Sequence, residues 1–300
     1  MTTPTNGPGR ASRGRLRFGR SRAAASPDQI AYPGDGGSEG TPPVMEAVGL
    51  LKSYGSVEAL RDMSFAVEQC ETVALVGDNG AGKSTAVKVI TGALPPDGGL
   101  VRVNGAHVRF RSPRDAQNAG VAVVYQDLAL VNVLSVAQNV FLGDIPTRGL
   151  RVDKRKMARE SERVLEELAI NVPSVTDPVS SLSGGQRQAV AIARAVRRGG
   201  RLMVMDEPTA ALGVQESAKV LDLIRELQRR GLSVLLVSHN IDHVFAVADR
   251  VVVLRHGRIA GVCDTRTSSH SDVVHLIVGA QAGGIGPGSD GDDDLGRAGI

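Results

Sequence analysis

Short apolar runs alternate along this chain with longer segments in which apolar positions recur every three or four residues. The rhythm occupies the stretch from Val44 to Gly279. Thr72–Val76, Val121–Tyr125, Leu202–Met205, Ser233–Val237 and Val251–Leu254 are dominated by apolar residues and short enough to be strands buried on both faces. Between them lie helical patterns: Lys83 to about Thr91, Asp153–Leu168 with Val164, Leu165 and Leu168 on one face, and Gln186 to about Arg198. Strands separated by helices predict an α/β fold with a mainly parallel core sheet covered on both sides. From Val136 to Val172 the strand pattern fades and charged helix replaces it. This predicts a helical subdomain inserted into the sheet domain, over about 127–182. No internal repeat is visible, so the chain holds one such unit.

The ends break the rhythm. Residues 1–43 are rich in Gly, Ser, Pro and Arg and read as a disordered basic extension. Residues 280–300 hold many glycines and the run Asp292-Asp293-Asp294, and read as a flexible acidic tail. Met45 opens the folded pattern and is a second conceivable start. The net charge of +3 belongs to the N-terminal extension, whose six arginines outnumber its three acids by that amount. The remainder is balanced, which gives no electrostatic argument for nucleic acid as a partner. No run approaches the ~18 apolar residues of a membrane span. The two cysteines, Cys70 and Cys263, have neither disulfide-framework nor metal-site spacing.

Two motifs carry chemistry. Gly77-Asp78-Asn79-Gly80-Ala81-Gly82-Lys83-Ser84 follows a predicted strand and opens a predicted helix, the context a phosphate-binding loop requires. Its glycines let successive N–H groups face phosphate oxygens, and the helix adds its positive dipole end. Lys83 is placed to reach the β- and γ-phosphates, and Ser84 to offer a hydroxyl to Mg²⁺. Met203-Val204-Met205-Asp206-Glu207 fits a buried strand ending in two carboxylates, one for a Mg²⁺ site and one to polarise an attacking water. Farther along, Leu182-Ser183-Gly184-Gly185-Gln186 precedes a helix whose N-terminus can hold an anion through backbone N–H groups and the Ser183 hydroxyl.

The order of phosphate loop, Gln126, Leu182–Gln186, Asp206-Glu207 and His239 resembles the ATP-binding subunit of ABC transporters, over essentially all of 46–279, within an ATP-binding domain expected over 44–279. The resemblance implies a P-loop NTPase fold of the ABC ATPase type. It has a mainly parallel core sheet, an antiparallel β subdomain and an inserted helical subdomain. It further implies ATP and Mg²⁺. ATP would be bound by Tyr54, stacking on adenine ahead of the first long strand, and by Gly77, Asp78, Asn79, Gly80, Ala81, Gly82, Lys83, Ser84 and Thr85. Ser84, Gln126 and Asp206 would hold the metal. Glu207, His239, Gln126 and Lys83 would be catalytic. Leu182, Ser183, Gly184, Gly185 and Gln186 would grip the γ-phosphate bound by the opposite subunit of a dimer. Two positions depart from the pattern: Gly213 stands where the family usually has Asp, and Cys70 where a turn Gly is common.

Ser112–Ala116, Val124–Leu130, Ser238–Asn240 with Val247–Arg250, and Glu207–Gly213 are similar to the ATPases of bacterial sugar importers of ribose, xylose or fructose type. That similarity implies a homodimer or a pair with a second ATPase subunit, docked on transmembrane permease subunits. The pair would serve a substrate-binding protein from the cytoplasmic face of the membrane, as a peripheral subunit with no nucleic-acid partner. The same chemistry would also serve an ABC exporter, or a soluble ABC protein acting on nucleic acid or ribosomes. The short interval from Gln126 to Leu182 excludes a long coiled-coil insertion.

Overall fold

The computed structural model describes residues 41–279. The expected basic extension lies outside the described residues up to position 40, and the expected acidic tail wholly so.

The chain opens with an antiparallel hairpin, β1 (Met45–Tyr54) and β2 (Val57–Val67), then enters β3 (Thr72–Val76) and α1 (Lys83–Ile90). A second hairpin, β4 (Gly98–Val103) and β5 (Ala106–Val108), is followed by α2 (Pro113–Asn118) and β6 (Val121–Val124). A mostly helical stretch follows: α3 (Val136–Val140), a two-residue-per-arm hairpin β7 (Thr147–Arg148) and β8 (Arg151–Val152), α4 (Lys154–Glu167) and α5 (Gly184–Arg197). The remainder alternates: β9 (Leu202–Asp206), α6 (Val214–Arg229), β10 (Ser233–Val237), α7 (Ile241–Val247), β11 (Arg250–Arg255), β12 (Arg258–Asp264) and α8 (His270–Val278).

Six strands form the core sheet in the order β12-β11-β3-β10-β9-β6, and every pair except β11 with β12 is parallel. The central strands β3 and β10 are buried at every position. Successive residues of β9 and β10 enter opposite cores. Met203, Met205, Val234 and Leu236 meet the helices α3 to α6, whereas Leu202, Val204, Leu235 and Val237 meet α1 and the second sheet. That double burial is why these strands read as continuous apolar runs rather than alternating ones. The second sheet, β2-β1-β4-β5, is antiparallel and closes over α1.

The helical stretch is stabilised from within by local chemistry. Ser135 and Ser183 head α3 and α5 with reciprocal capping boxes to Gln138 and Gln186, and Asp153 caps α4. Substituting such a cap costs roughly 1 kcal/mol. Asn139, fully buried, accepts from Val131 N–H at 2.8 Å and donates to the carbonyls of Val131, Leu134 and Ser135. One side chain thus satisfies the turn that leads into α3.

Element boundaries differ slightly from the sequence pattern. The β6 strand ends at Val124 rather than Tyr125, and α5 begins at Gly184 because Ser183, not a later residue, is its cap. The β7–β8 hairpin was not legible, since its four residues are exposed and follow no burial period.

Cys70, in the turn between β2 and β3, has φ 58°, a left-handed conformation that L side chains occupy at a cost of roughly 1–2 kcal/mol. Replacing it with Gly removes that cost but gives the unfolded chain about 0.4–1 kcal/mol of extra freedom. Cys70→Gly is therefore expected to raise unfolding free energy in urea by about 0.5–1 kcal/mol. A loss of stability would show instead that the contact of Sγ with Gly231 O at 3.6 Å outweighs backbone relief.

Candidate functional site

Gly77 and Gly82 allow the loop between β3 and α1 to pass where no side chain fits. At Gly77 a Cβ would stand 2.1 Å from Leu254 O, and at Gly82 2.5 Å from Ala59 O, with φ of 150° and 110°. The N-terminus of β2 and the turn at Gly257 buttress the loop, through Gly257 N–H to Ala81 O at 2.9 Å and Arg61 N–H to Gly257 O at 2.8 Å. The α1 helix starts on Gly82 with no side-chain cap and no acidic residue in its first turn. Helices α2 to α5, α7 and α8 all carry Ser, Asp or Asn caps. Open N–H groups on a positive helix end, beside a cradle of bare backbone, suit a phosphate. Lys83 folds back across the loop and donates to Gly77 O at 2.7 Å and Asp78 O at 3.0 Å, which places its ammonium over the same cradle. Asp78, Asn79, Gly80 and Ser84 are exposed along the loop, Thr85 is half-buried and Ala81 is buried beneath it.

Sheet register brings the remaining chemistry alongside. Val237 is level with Leu75 on one side and Asp206 on the other, and Val124 is level with Met205. The residues just past these strand ends are Gly77, His239, Glu207 and Gln126, so four neighbouring strands deliver them to one edge. The carboxyl ends of parallel strands are where such sheets bind ligands. His239 Nδ1 lies 2.9 Å from Glu207 Oε1; the imidazole is 71% exposed and the carboxylate 15%, so the pair presents an accessible base partner over a covered acid. Glu207 itself is held at φ 52° while its N–H donates to Val237 O at 2.9 Å. A left-handed non-glycine residue at a strand end stores strain of order 1–3 kcal/mol, a feature that clusters at functional sites. Burial pushes the Asp206 carboxyl above its ordinary range and the charge of Glu207 adds to this, while Lys83 and Lys88 pull it back.

Gln126 is exposed at the end of β6, and the segment after it is anchored from behind. Arg194 on α5 donates to the carbonyls of Leu128 and Ala129, and Asn139 holds Val131. Arg197 donates to Val140 O at 3.0 Å and lies 4.0 Å over the Phe141 ring. Neither Arg194 nor Asn139 was singled out from sequence, because only the tertiary contact distinguishes them from other polar helix residues.

Tyr54 is the last residue of β1 and stands just ahead of the longer strand β2. It is 49% exposed and pairs across the hairpin with Val57, at the start of the strand that buttresses the loop. An exposed aromatic at the rim is available for stacking. The Leu182–Gln186 segment lies elsewhere. Among the described residues no hydrogen bond joins it to the loop or to the strand-end carboxylates. Leu182 is buried, and the Ser183 hydroxyl accepts from Gln186 N–H at 3.3 Å. The segment faces the start of α6 across a groove of about 780 Å³ lined by Ser183, Gly185, Gln186 and Glu216. Glu216 is a further residue that sequence reading passed over, being one acid among many in a charged helix.

A family model described as ABC transporter matches residues 60–210. The fructose import ATP-binding protein FrcA of Rhizobium meliloti is 45% identical over 247 residues, spanning 80% of this chain and 95% of that protein. The xylose/arabinose import ATP-binding protein XylG of Sulfolobus acidocaldarius is 47% identical over 216 residues, 72% of this chain and 86% of that one. Among solved structures, a nucleotide-free ATP-binding cassette from an ABC transporter superposes with a TM-score of 0.70 at 24% identity, covering 78% of this chain and 98% of that one. The dimeric cassette MJ0796 in a post-hydrolysis state, bound to ADP and Pi, gives 0.63 at 23% identity, with 75% and 100% covered. These two share the fold.

A carboxyl whose folded pKa lies above its unfolded one subtracts stability once the pH exceeds the unfolded value. The loss is complete above the folded value and absent below both. Asp206→Asn is therefore expected to raise the melting temperature near pH 7 in the absence of nucleotide and divalent cation. The gain should disappear as the pH falls below the ordinary carboxylate range of about 4. Calorimetry across that pH series is the check, and an unchanged or lower melting temperature at pH 7 would show that the neighbouring lysines outweigh burial.

Proposed function

The chain belongs to the ABC transporter family and is an ATPase, and we propose that it is the motor subunit of a membrane importer for a monosaccharide. The observation that carries this reading is the meeting of phosphate loop, Asp206, Glu207, His239 and Gln126 on one sheet edge, in a chain 45–47% identical to fructose and xylose/arabinose import ATP-binding proteins.

The loop N–H groups and Lys83 hold the triphosphate, and Tyr54 stacks on the base. Mg²⁺ fits the site as a passenger of the nucleotide. Among the described residues no group of three or more His, Cys, Asp or Glu could form a cage by itself, whereas Mg²⁺ commonly takes one or two protein oxygens plus phosphates. Ser84, Asp206 and Gln126 are the residues that would hold it, and it supplies charge neutralisation on the phosphates. Glu207 orients the attacking water and His239 fixes that carboxylate. Most of the rate enhancement then comes from positioning and preorganised charge.

The Leu182–Gln186 signature segment borders α6 and, among the described residues, makes no hydrogen bond to its own loop, which is compatible with its use on the nucleotide of a second copy in an ATP sandwich. No described helix is long and apolar enough to cross a membrane. A peripheral subunit on the cytoplasmic face, docked on a permease through the surface from Gln126 to Phe141, accounts for that. Val131 and Val133 are exposed there, Val133 by 83%.

Glu207→Gln is expected to leave ATP binding intact, lower turnover by about 100-fold or more and accumulate an ATP-bound dimer. Light scattering with and without Mg-ATP reads the last effect, and a monomer with unchanged turnover contradicts the proposal. For the transport role, the tagged chain should copurify from solubilised native membranes with a multi-spanning permease. Recovery with ribosomes or nucleic acid and no membrane protein would leave only the ATP chemistry standing.

A further inference from the structure

The α6 helix begins on Gly213, which has no side chain with which to cap it. Glu216, in the first turn, reaches back instead, and its Oε2 lies 3.4 Å from Gly213 N–H. That bond is long and leaves most of the carboxylate's hydrogen-bonding capacity unused. The same side chain lies against the first turn of α5. A Cβ at Gly184 would stand 3.7 Å from Glu216 Oε2, and one at Gly185 3.1 Å from Glu216 Cβ. Gly185 thus leaves room for the stem of Glu216, and its carboxylate lies within contact distance of the start of α5. No acidic residue occupies the first turn of α5, so Glu216 brings negative charge from the neighbouring helix to a positive helix end.

We propose that the Glu216 carboxylate is a resident anion on the signature segment, a positioning residue that must release Ser183 and Gly185 before a second copy's ATP can engage them. The Ser183 hydroxyl, and after it the N–H groups of Gly185 and Gly213, hold the Glu216 carboxyl below its ordinary range, so it is ionised at neutral pH. A hydroxyl and an N–H group at a helix start are also what a phosphate oxygen requires. Two anions cannot share them, because like charges at that distance repel strongly. Lys219, farther along α6, lines the same groove and attracts Glu216, which gives the displaced carboxylate somewhere to go. Sandwich formation is then an exchange of one anion for another, and the contact biases the nucleotide-free chain toward the monomer. The inference rests on the sandwich reading above.

The test measures ATP-driven dimerisation, not turnover. In the slow Glu207→Gln background, Mg-ATP is titrated and the dimer fraction read by light scattering. Adding Glu216→Gln is expected to lower the ATP concentration for half-dimerisation by about tenfold, since the competing charge is gone. Glu216→Asp, too short to reach across, should shift it in the same direction. Affinity of the monomer for ADP, measured with a fluorescent analogue at low protein concentration, should not move. Unchanged or weaker dimerisation in both variants overturns the proposal and makes Glu216 an ordinary brace. Ser183→Ala in the same background separates the two readings. If it abolishes dimerisation while the Glu216 variants do nothing, only the resident-anion proposal fails. If it leaves dimerisation untouched, the sandwich reading fails with it.

Discussion

Backbone pairing of β10 with β3 on one side and with β9 on the other sets the position of nearly every reactive group in this protein. Parallel pairing at this register places Leu75, Val237 and Asp206 level with one another, and β6 extends the row through Val124 and Met205. A slip of one residue in any of these strands would turn its buried set into the opposite core. It would also move Gly77, Glu207, Gln126 or His239 by about 3.3 Å along the strand, beyond the reach of a hydrogen bond. The register is secured by apolar burial on both faces, so the packing that stabilises the sheet also aligns the edge that carries the candidate site.

That edge contains several groups the fold alone would not choose. Asp206 is a carboxylate held partly out of water beside another carboxylate. Glu207 sits in a left-handed conformation, and α1 lacks the cap that most of its neighbours possess. Each lowers stability, and the ligand proposed above would offset the first and the last. A phosphate would cap α1, and a cation bound with it would offset the carboxylates. The sheet, with β3 and β10 buried throughout, supplies the stability these features withdraw.

Much of this was legible in the amino-acid sequence because the informative features are local. Runs such as Thr72–Val76 and Ser233–Val237 announce doubly covered strands through composition alone. Gly77, Gly80, Gly82 and Lys83 are close in the chain and need no tertiary knowledge. The curved antiparallel sheet around β1, β2, β4 and β5 was expected only through resemblance, since its burial pattern is interrupted by bulges near Leu50 and Lys52. What stayed hidden depends on contacts between distant segments. Asn139 is unremarkable until it is seen enclosed by the turn it satisfies, and Arg194 until it is seen holding Leu128 and Ala129. That Tyr54 closes β1 was not marked in the sequence, because a strand ending in an exposed hairpin has no apolar run to mark its end.

The corner where α5 and α6 begin shows how one departure from a family pattern redirects the chemistry around it. An Asp at position 213 would cap α6 with its own side chain and place a carboxylate at the turn that follows Glu207. Glycine removes both, leaving the N–H of Gly213 to a side chain three residues on. The residue that answers this need, Glu216, is long enough to cross to α5 as well. One carboxylate therefore accepts from the start of the helix that follows Glu207 and also lies against the segment proposed above to meet a second copy's nucleotide. Displacing it at the signature would change its contact with Gly213, six residues from Glu207 along a turn in which Pro208 and Thr209 are buried. Communication between the two sites of a dimer does not need the missing Asp if a single movable charge touches both ends of the connection.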